Sequence, residues 1–145
     1  MMALTGLFLA ALVAATLIPA QSEAVLAGLI LSGGHPVSLL LLVATAGNVL
    51  GAAINWALGR FLIRYAGRRW FPVSGAALGR ATGWYRRWGH WSLLGAWLPI
   101  IGDPLTFAAG VMREPLWRFL VIVTAAKGGR YAVLAWAVLR VQAAV

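Results

Sequence analysis

The chain has 145 residues, 62% hydrophobic and 10% charged, with a mean hydropathy of +0.87; soluble domains carry roughly 25% charged residues, so an ordinary soluble domain is excluded and an integral membrane protein is expected. The net charge of +9 sets twelve Lys and Arg against Glu23, Asp103 and Glu114. Most of these cations sit in short loops beside apolar stretches, which fits the positive-inside bias of membrane proteins and not nucleic-acid binding. There is no cysteine, and His35 and His90 are the only histidines, so disulfides and thiol chemistry are excluded. A metal site is not expected, and no cofactor is implied.

The first apolar segment, Ala3 to Leu31, would measure about 44 Å as one helix against a hydrocarbon core of ~30 Å. Pro19 breaks it, followed by Gln21, Ser22 and Glu23. A re-entrant hairpin that dips in and returns to the same face is therefore expected, with irregular backbone at depth that is buried in protein or faces water. A signal peptide is the competing reading, but no basic residue precedes the apolar run and apolar character resumes after Glu23. Ser32 to Pro36 reads as a turn.

The second segment, Val37 to Leu58, reads as a transmembrane helix. Gly47 and Gly51 form a small-xxx-small face for close helix approach, while Asn48 and Asn55, seven apart, share one face. Each asparagine is either interhelical glue or the lining of a polar cavity. Arg60 to His90 then holds Arg60, Arg64, Arg68, Arg69, Arg80, Arg86 and Arg87. Within it Ala77, Ala81, Trp84, Trp88 and Trp91 recur at helical spacing, and Gly75, Gly79 and Gly83 form a second stripe that could pack within the chain or across a homodimer. This pattern predicts an amphipathic linker at the headgroup level, either a plain aromatic belt or a lipid-headgroup site.

The third segment, Trp91 to Met112, contains Leu98-Pro99-Ile100-Ile101-Gly102-Asp103-Pro104, a carboxylate between prolines in an apolar stretch. Arg113-Glu114-Pro115 reads as a charged turn. The fourth segment, Leu116 to Leu139, carries Lys127 and Arg130 around a glycine pair. Cations in mid-segment prefer an acid partner or an anionic ligand.

Sliding the chain against itself pairs more than the two proline-acid motifs. Ala44 to Asn48 lies against Val123 to Lys127 at an offset of 79, and Trp56 to Arg60 against Trp136 to Arg140 at 80. The expected fold is an all-α integral membrane protein: an inverted repeat of two re-entrant helical hairpins and two transmembrane helices joined by an amphipathic Arg/Trp-rich linker. Repeat 1 covers 3–60, the linker 61–90 and repeat 2 91–140. With hairpins, nine of the twelve basic residues, from Arg60 to Arg118, fall on one face, which predicts a cytoplasmic linker.

These residues resemble the DedA family, the SNARE-associated Golgi or VTT-domain superfamily, and within it the YqaA-like branch. The resemblance is carried by Glu23 after Pro19, by Gly47-Asn48-x-x-Gly51 in a helix ending in Gly59-Arg60, and by Trp97-Leu98-Pro99-x-x-Gly102-Asp103-Pro104-Leu105-Thr106 followed by Ala109-Gly110-Val111. It spans nearly the whole chain. It implies opposed re-entrant hairpins, a multi-pass protein of the bacterial inner membrane, and lipid translocation: undecaprenyl phosphate recycling or phospholipid flipping, coupled to protons. Typical members carry arginines around the proline of the second hairpin, where this chain has Trp97 and Asp103. Lys127 and Arg130 substitute for them by chemistry and not by alignment.

The expected function is therefore a carrier for an anionic membrane lipid and not an enzyme. Glu23 and Asp103 face a shared polar cavity and exchange protons; Lys127 and Arg130 bind phosphate; Gln21, Ser22, Thr106, Asn48 and Asn55 supply hydrogen bonds; and Pro19, Pro99 and Pro104 hold the hairpin tips open. Membrane-buried charges normally mark such sites. The bland alternative is that the acids pair with Lys127 or Arg130 only to hold the bundle. Two further classes compete: an intramembrane enzyme using Glu23 and Asp103 as an acid dyad, and a non-transporting scaffold.

Overall fold

The computed structural model describes residues 1–14, 19–62, 64, 68–69, 74–98 and 102–145. Six α-helices follow in order: α1 Met2–Ala14, α2 Pro19–Ser32, α3 Val37–Phe61, α4 Gly75–Trp88, α5 Gly102–Val111 and α6 Leu116–Ala144, with a 3-10 helix, Gly89–Trp97, between α4 and α5. No strand occurs among the described residues. Two of the helices, α3 with 25 residues and α6 with 29, are long and apolar enough to cross a bilayer, against the ~20 residues a span requires.

The long first segment is divided, as its length demands, into α1 and α2, which pack against each other. α2 begins at Pro19, and Pro104 is the third residue of α5. Proline is tolerated at such positions because first-turn N–H groups lack intrahelical partners. Pro104 thus stands in the first turn of α5; Pro99 lies outside the described residues. The glycine turn is as expected, with Gly33 at φ 69° and its N–H donating to the Ile30 carbonyl.

The described chain forms two compact units, Met1–Gly51 with Lys127–Val145, and Ala52–Ala126. In unit 1, four helices share one core: Leu7 of α1, Leu26 and Ile30 of α2, Leu40 and Ala44 of α3, and Tyr131 and Ala135 of α6. Gly47 permits the α1–α3 crossing, since a Cβ there would sit 3.0 Å from Ala11 Cβ and closer still to the Phe8 carbonyl. Gly47 therefore does what the small-xxx-small pattern predicts for it.

In unit 2, α5 is buried almost all round, from Leu105 to Gly110, as a helix apolar on every face must be. Glycines set its distance from α3: a Cβ on Gly59 would meet the Phe107 carbonyl, and one on Gly110 the Trp56 carbonyl. α4 is defined at both ends, by Ser74, whose Oγ accepts from the Ala77 N–H at 3.2 Å, and by Gly89 at φ 64°. Its inward face is Leu78, Ala81 and Tyr85. Trp84 and Trp88 point outward, and Gly75, Gly79 and Gly83 have open space where a Cβ would be.

Candidate functional site

Unit 1 brings together four of the expected site residues. Glu23 of α2 forms an ion pair with Arg130 of α6. The next residue on each helix is joined as well: Ser22 Oγ and Tyr131 Oη lie 2.9 Å apart and are buried. Asn48 Nδ2 of α3 donates to the same Tyr131 oxygen at 3.0 Å and to the Ala11 carbonyl at 3.1 Å. Ala11 lies in the last turn of α1, whose carbonyls have no intrahelical acceptor role to fill. One asparagine thus ties α1, α3 and α6 at a single level.

The charged pair is less enclosed than this neutral network. The side chains of Arg130 and Glu23 are 19% and 30% exposed, whereas Ser22 is fully buried and Asn48 is 7% exposed. Asn48 Oδ1 is buried with no hydrogen-bond partner among the described residues, an acceptor available to a donor that enters. Lys127, 5% exposed, lies three residues before Arg130 and four before Tyr131, on one face of α6. The arrangement is a guanidinium and a carboxylate open on one side, held in place by a buried hydroxyl-amide network. It suits exchange of the guanidinium between the carboxylate and an incoming anion, because arginine binds carboxylate and phosphate with the same planar fork.

The remaining expected residues lie elsewhere. Gln21 is exposed on α2. Asp103, Thr106 and Asn55 belong to unit 2. Asn55 Nδ2 donates to Thr106 Oγ1 at 3.2 Å, and Thr106 Oγ1 in turn donates to the Asp103 carbonyl at 2.6 Å. Both asparagines therefore act first as interhelical ties, each within its own unit.

Sequence reasoning passed over two centres. Tyr131 joins three helices, and its signal was available: a tyrosine in an apolar helix needs a partner for its hydroxyl. The second is Glu114, read from the sequence as part of a charged turn and 7% exposed in the structure. It accepts from the Tyr85 hydroxyl of α4 and pairs with Arg118 at 3.4 Å, while its backbone carbonyl accepts from Trp56 Nε1 at 3.0 Å. The turn holds it there: Glu114 N–H bonds the Ala109 carbonyl at 2.9 Å and Arg113 N–H the Gly110 carbonyl at 3.1 Å, with Arg113 at φ 58°. This is the pairing of a Schellman cap, with arginine in place of the usual glycine. Burial, then the bond to Glu114, pushes the Tyr85 hydroxyl well above its ordinary range. The i,i+4 spacing of Glu114 and Arg118 was the signal for this cluster.

Comparison with known proteins decides the family. The VTT domain model matches residues 18–139. The chain belongs to the VTT-domain (DedA) family. It is 38% identical over 135 residues to the inner membrane protein YqaA of Escherichia coli (strain K12), covering 92% of this chain and 89% of that one, and equally to YqaA of Shigella flexneri. An uncharacterized protein of Haemophilus influenzae is 31% identical over 114 residues, covering 74% of this chain and 69% of that one. No solved structure matches the chain. The VTT-domain match takes in α2, α3, α4 and α5 whole and α6 through Leu139, so it covers every residue of the Glu23–Arg130 centre except the Ala11 carbonyl.

Proposed function

We propose that this VTT-domain protein carries an anionic lipid, undecaprenyl phosphate or a phospholipid, across the bacterial inner membrane in exchange with protons. The observation that carries the reading is the Glu23–Arg130 pair, set beside Ser22–Tyr131–Asn48 in a core that is otherwise apolar. With Glu23 ionised, its carboxylate occupies Arg130. A proton on Glu23 removes the charge that holds the guanidinium, and Arg130 then takes the lipid phosphate, with Lys127 one turn away as a second cation. Loss of the proton restores the carboxylate, which recaptures Arg130 and expels the phosphate. The neutral network matters because it fixes α2 and α6 one residue from each charge while the pair opens and closes.

The α1–α2 segment and the segment leading into α5 are the two re-entrant hairpins, the two halves are inverted repeats, and the Arg-rich linker is cytoplasmic. Single cysteines at Gly34, Ser74 and Met112, in a chain with no native cysteine, test this. Labelling of Ser74 and Met112 from one side and Gly34 from the other is expected; Gly34 and Met112 on the same side would reject the hairpins. The lipid reading is tested in proteoliposomes containing fluorescent phospholipid or undecaprenyl phosphate, with and without a pH gradient. Movement of one lipid, faster with the gradient, is expected, and folded protein that moves neither in either condition refutes it.

A further inference from the structure

The outer face of unit 2 carries a groove unconnected with the reading above. It is a cavity of about 310 Å³ lined by Trp84 and Trp88 of α4, Trp91 and Gly95 of the 3-10 helix, Leu98, and Leu105 of α5. Its lining is nearly all apolar, yet the three indoles remain 43%, 61% and 64% exposed in chain order. Gly95 lets Leu105 pack close against it in the groove, since a Cβ there would fall 2.8 Å from Leu105 Cδ1.

The rim is cationic. Arg80 and Arg87 stand four residues before and three after Trp84, on the same face of α4, and both are exposed. The Arg87 guanidinium lies 5.5 Å from the Trp88 ring centroid, so one cation is already placed over the groove's edge. No acid occurs in α4, and Glu114 is engaged with Tyr85 on the helix's buried side. Exposed indoles with guanidiniums beside them match the two ends of a membrane lipid, the acyl chain and the phosphate.

We propose that this groove holds one acyl chain of an anionic phospholipid, with the headgroup phosphate on Arg80 and Arg87, as a resident lipid that anchors α4 and is not itself transported. The apolar lining selects the chain. The two arginines select the charge. Because the site lies wholly within unit 2, it stands or falls apart from any transport through Glu23 and Arg130.

The test uses the full chain in nanodiscs of mixed phosphatidylglycerol and phosphatidylcholine, followed by native mass spectrometry of the lipid that stays bound. Wild type should retain one phosphatidylglycerol in preference to phosphatidylcholine. Arg80→Gln with Arg87→Gln, both at exposed positions, should lower that preference by roughly five-fold per arginine. Ser92→Phe, which fills the groove from its wall, should abolish retention of either lipid. Equal retention of both lipids by wild type, no retained lipid, or an unchanged preference in the double arginine variant overturns the proposal. So does a Ser92→Phe variant that loses a dimer while keeping its lipid, which would make a second copy the occupant. If Ser92→Phe fails to fold, the arginine pair alone decides.

Discussion

Unit 1 and unit 2 both tie their helices together with buried hydrogen bonds from an α3 asparagine, but they treat ionised groups differently. In unit 1 the carboxylate and guanidinium of Glu23 and Arg130 sit next to the neutral network and remain partly open. In unit 2 the most enclosed carboxylate, Glu114, is closed in by a phenol, a guanidinium and a capped turn. A charge that must change partners has to stay accessible. One that serves structure is best surrounded, because a buried charge without its partners is costly. Under the proposed exchange, Glu23 is the acid left open to a change of partner and Glu114 the one enclosed in a structural cluster.

Substitutions at the two acids should therefore differ in kind. The largest effect on stability is expected from Glu114→Ala, which leaves the buried Tyr85 hydroxyl without its acceptor; a loss of about 2 kcal/mol should appear as a drop in the thermal unfolding midpoint in detergent. A loss no greater than that of Glu23→Gln would erase the distinction. Asn48→Leu removes the bonds to Tyr131 and Ala11 and should cost about 0.6–1.7 kcal/mol, the range for interhelical hydrogen bonds in membranes, read in the same unfolding assay. Transport by the protein that remains folded should fall too, since the network orients both charges of the pair.

The smallest effect concerns pH. Tyr85 keeps its proton in the folded state above the ordinary tyrosine value of about 10, whereas the unfolded chain releases it there. The unfolded state then binds fewer protons, so stability is intact below about pH 10 and falls as pH rises beyond it. Wild type should lose unfolding midpoint between neutral pH and pH 11, and Tyr85→Phe should lose less. Equal losses would detach Tyr85 from the alkaline behaviour.

Much of the helical framework is legible in the sequence because length and helix boundaries are marked by simple chemistry. Val37 as the start of α3, the division of the first segment into α1 and α2, the Ser32–Pro36 turn and the close approach at Gly47 all follow from segment length, proline, glycine and hydropathy. Side-chain register is less legible. In α3 and α6 apolar residues cover every face, so periodicity does not reveal which one is buried. In α4 the stripe of Ala77, Ala81, Trp84 and Trp88 contains only one of the buried residues, Ala81; Leu78 and Tyr85 beside it complete the inward face, and the indoles stay outward. Partners are the least legible of all. The sequence supplies Lys127 and Arg130 equally as mates for the acids; only the structure pairs Arg130 with Glu23 and adds Tyr131 beside them. Glu114 was hidden by its own turn, since Arg-Glu-Pro reads as no more than a charged turn until the capped backbone carries the carboxylate inward.

The central claim is tested most directly by lipid translocation in proteoliposomes under a pH gradient, comparing wild type, Glu23→Gln and Glu114→Gln at equal amounts of folded protein. Glu23→Gln changes a partly exposed pair and should cost at most about 1 kcal/mol of stability, yet translocation should fall to background; Glu114→Gln should translocate per folded molecule as wild type does. Wild-type translocation by Glu23→Gln, or loss confined to Glu114→Gln, would contradict the account.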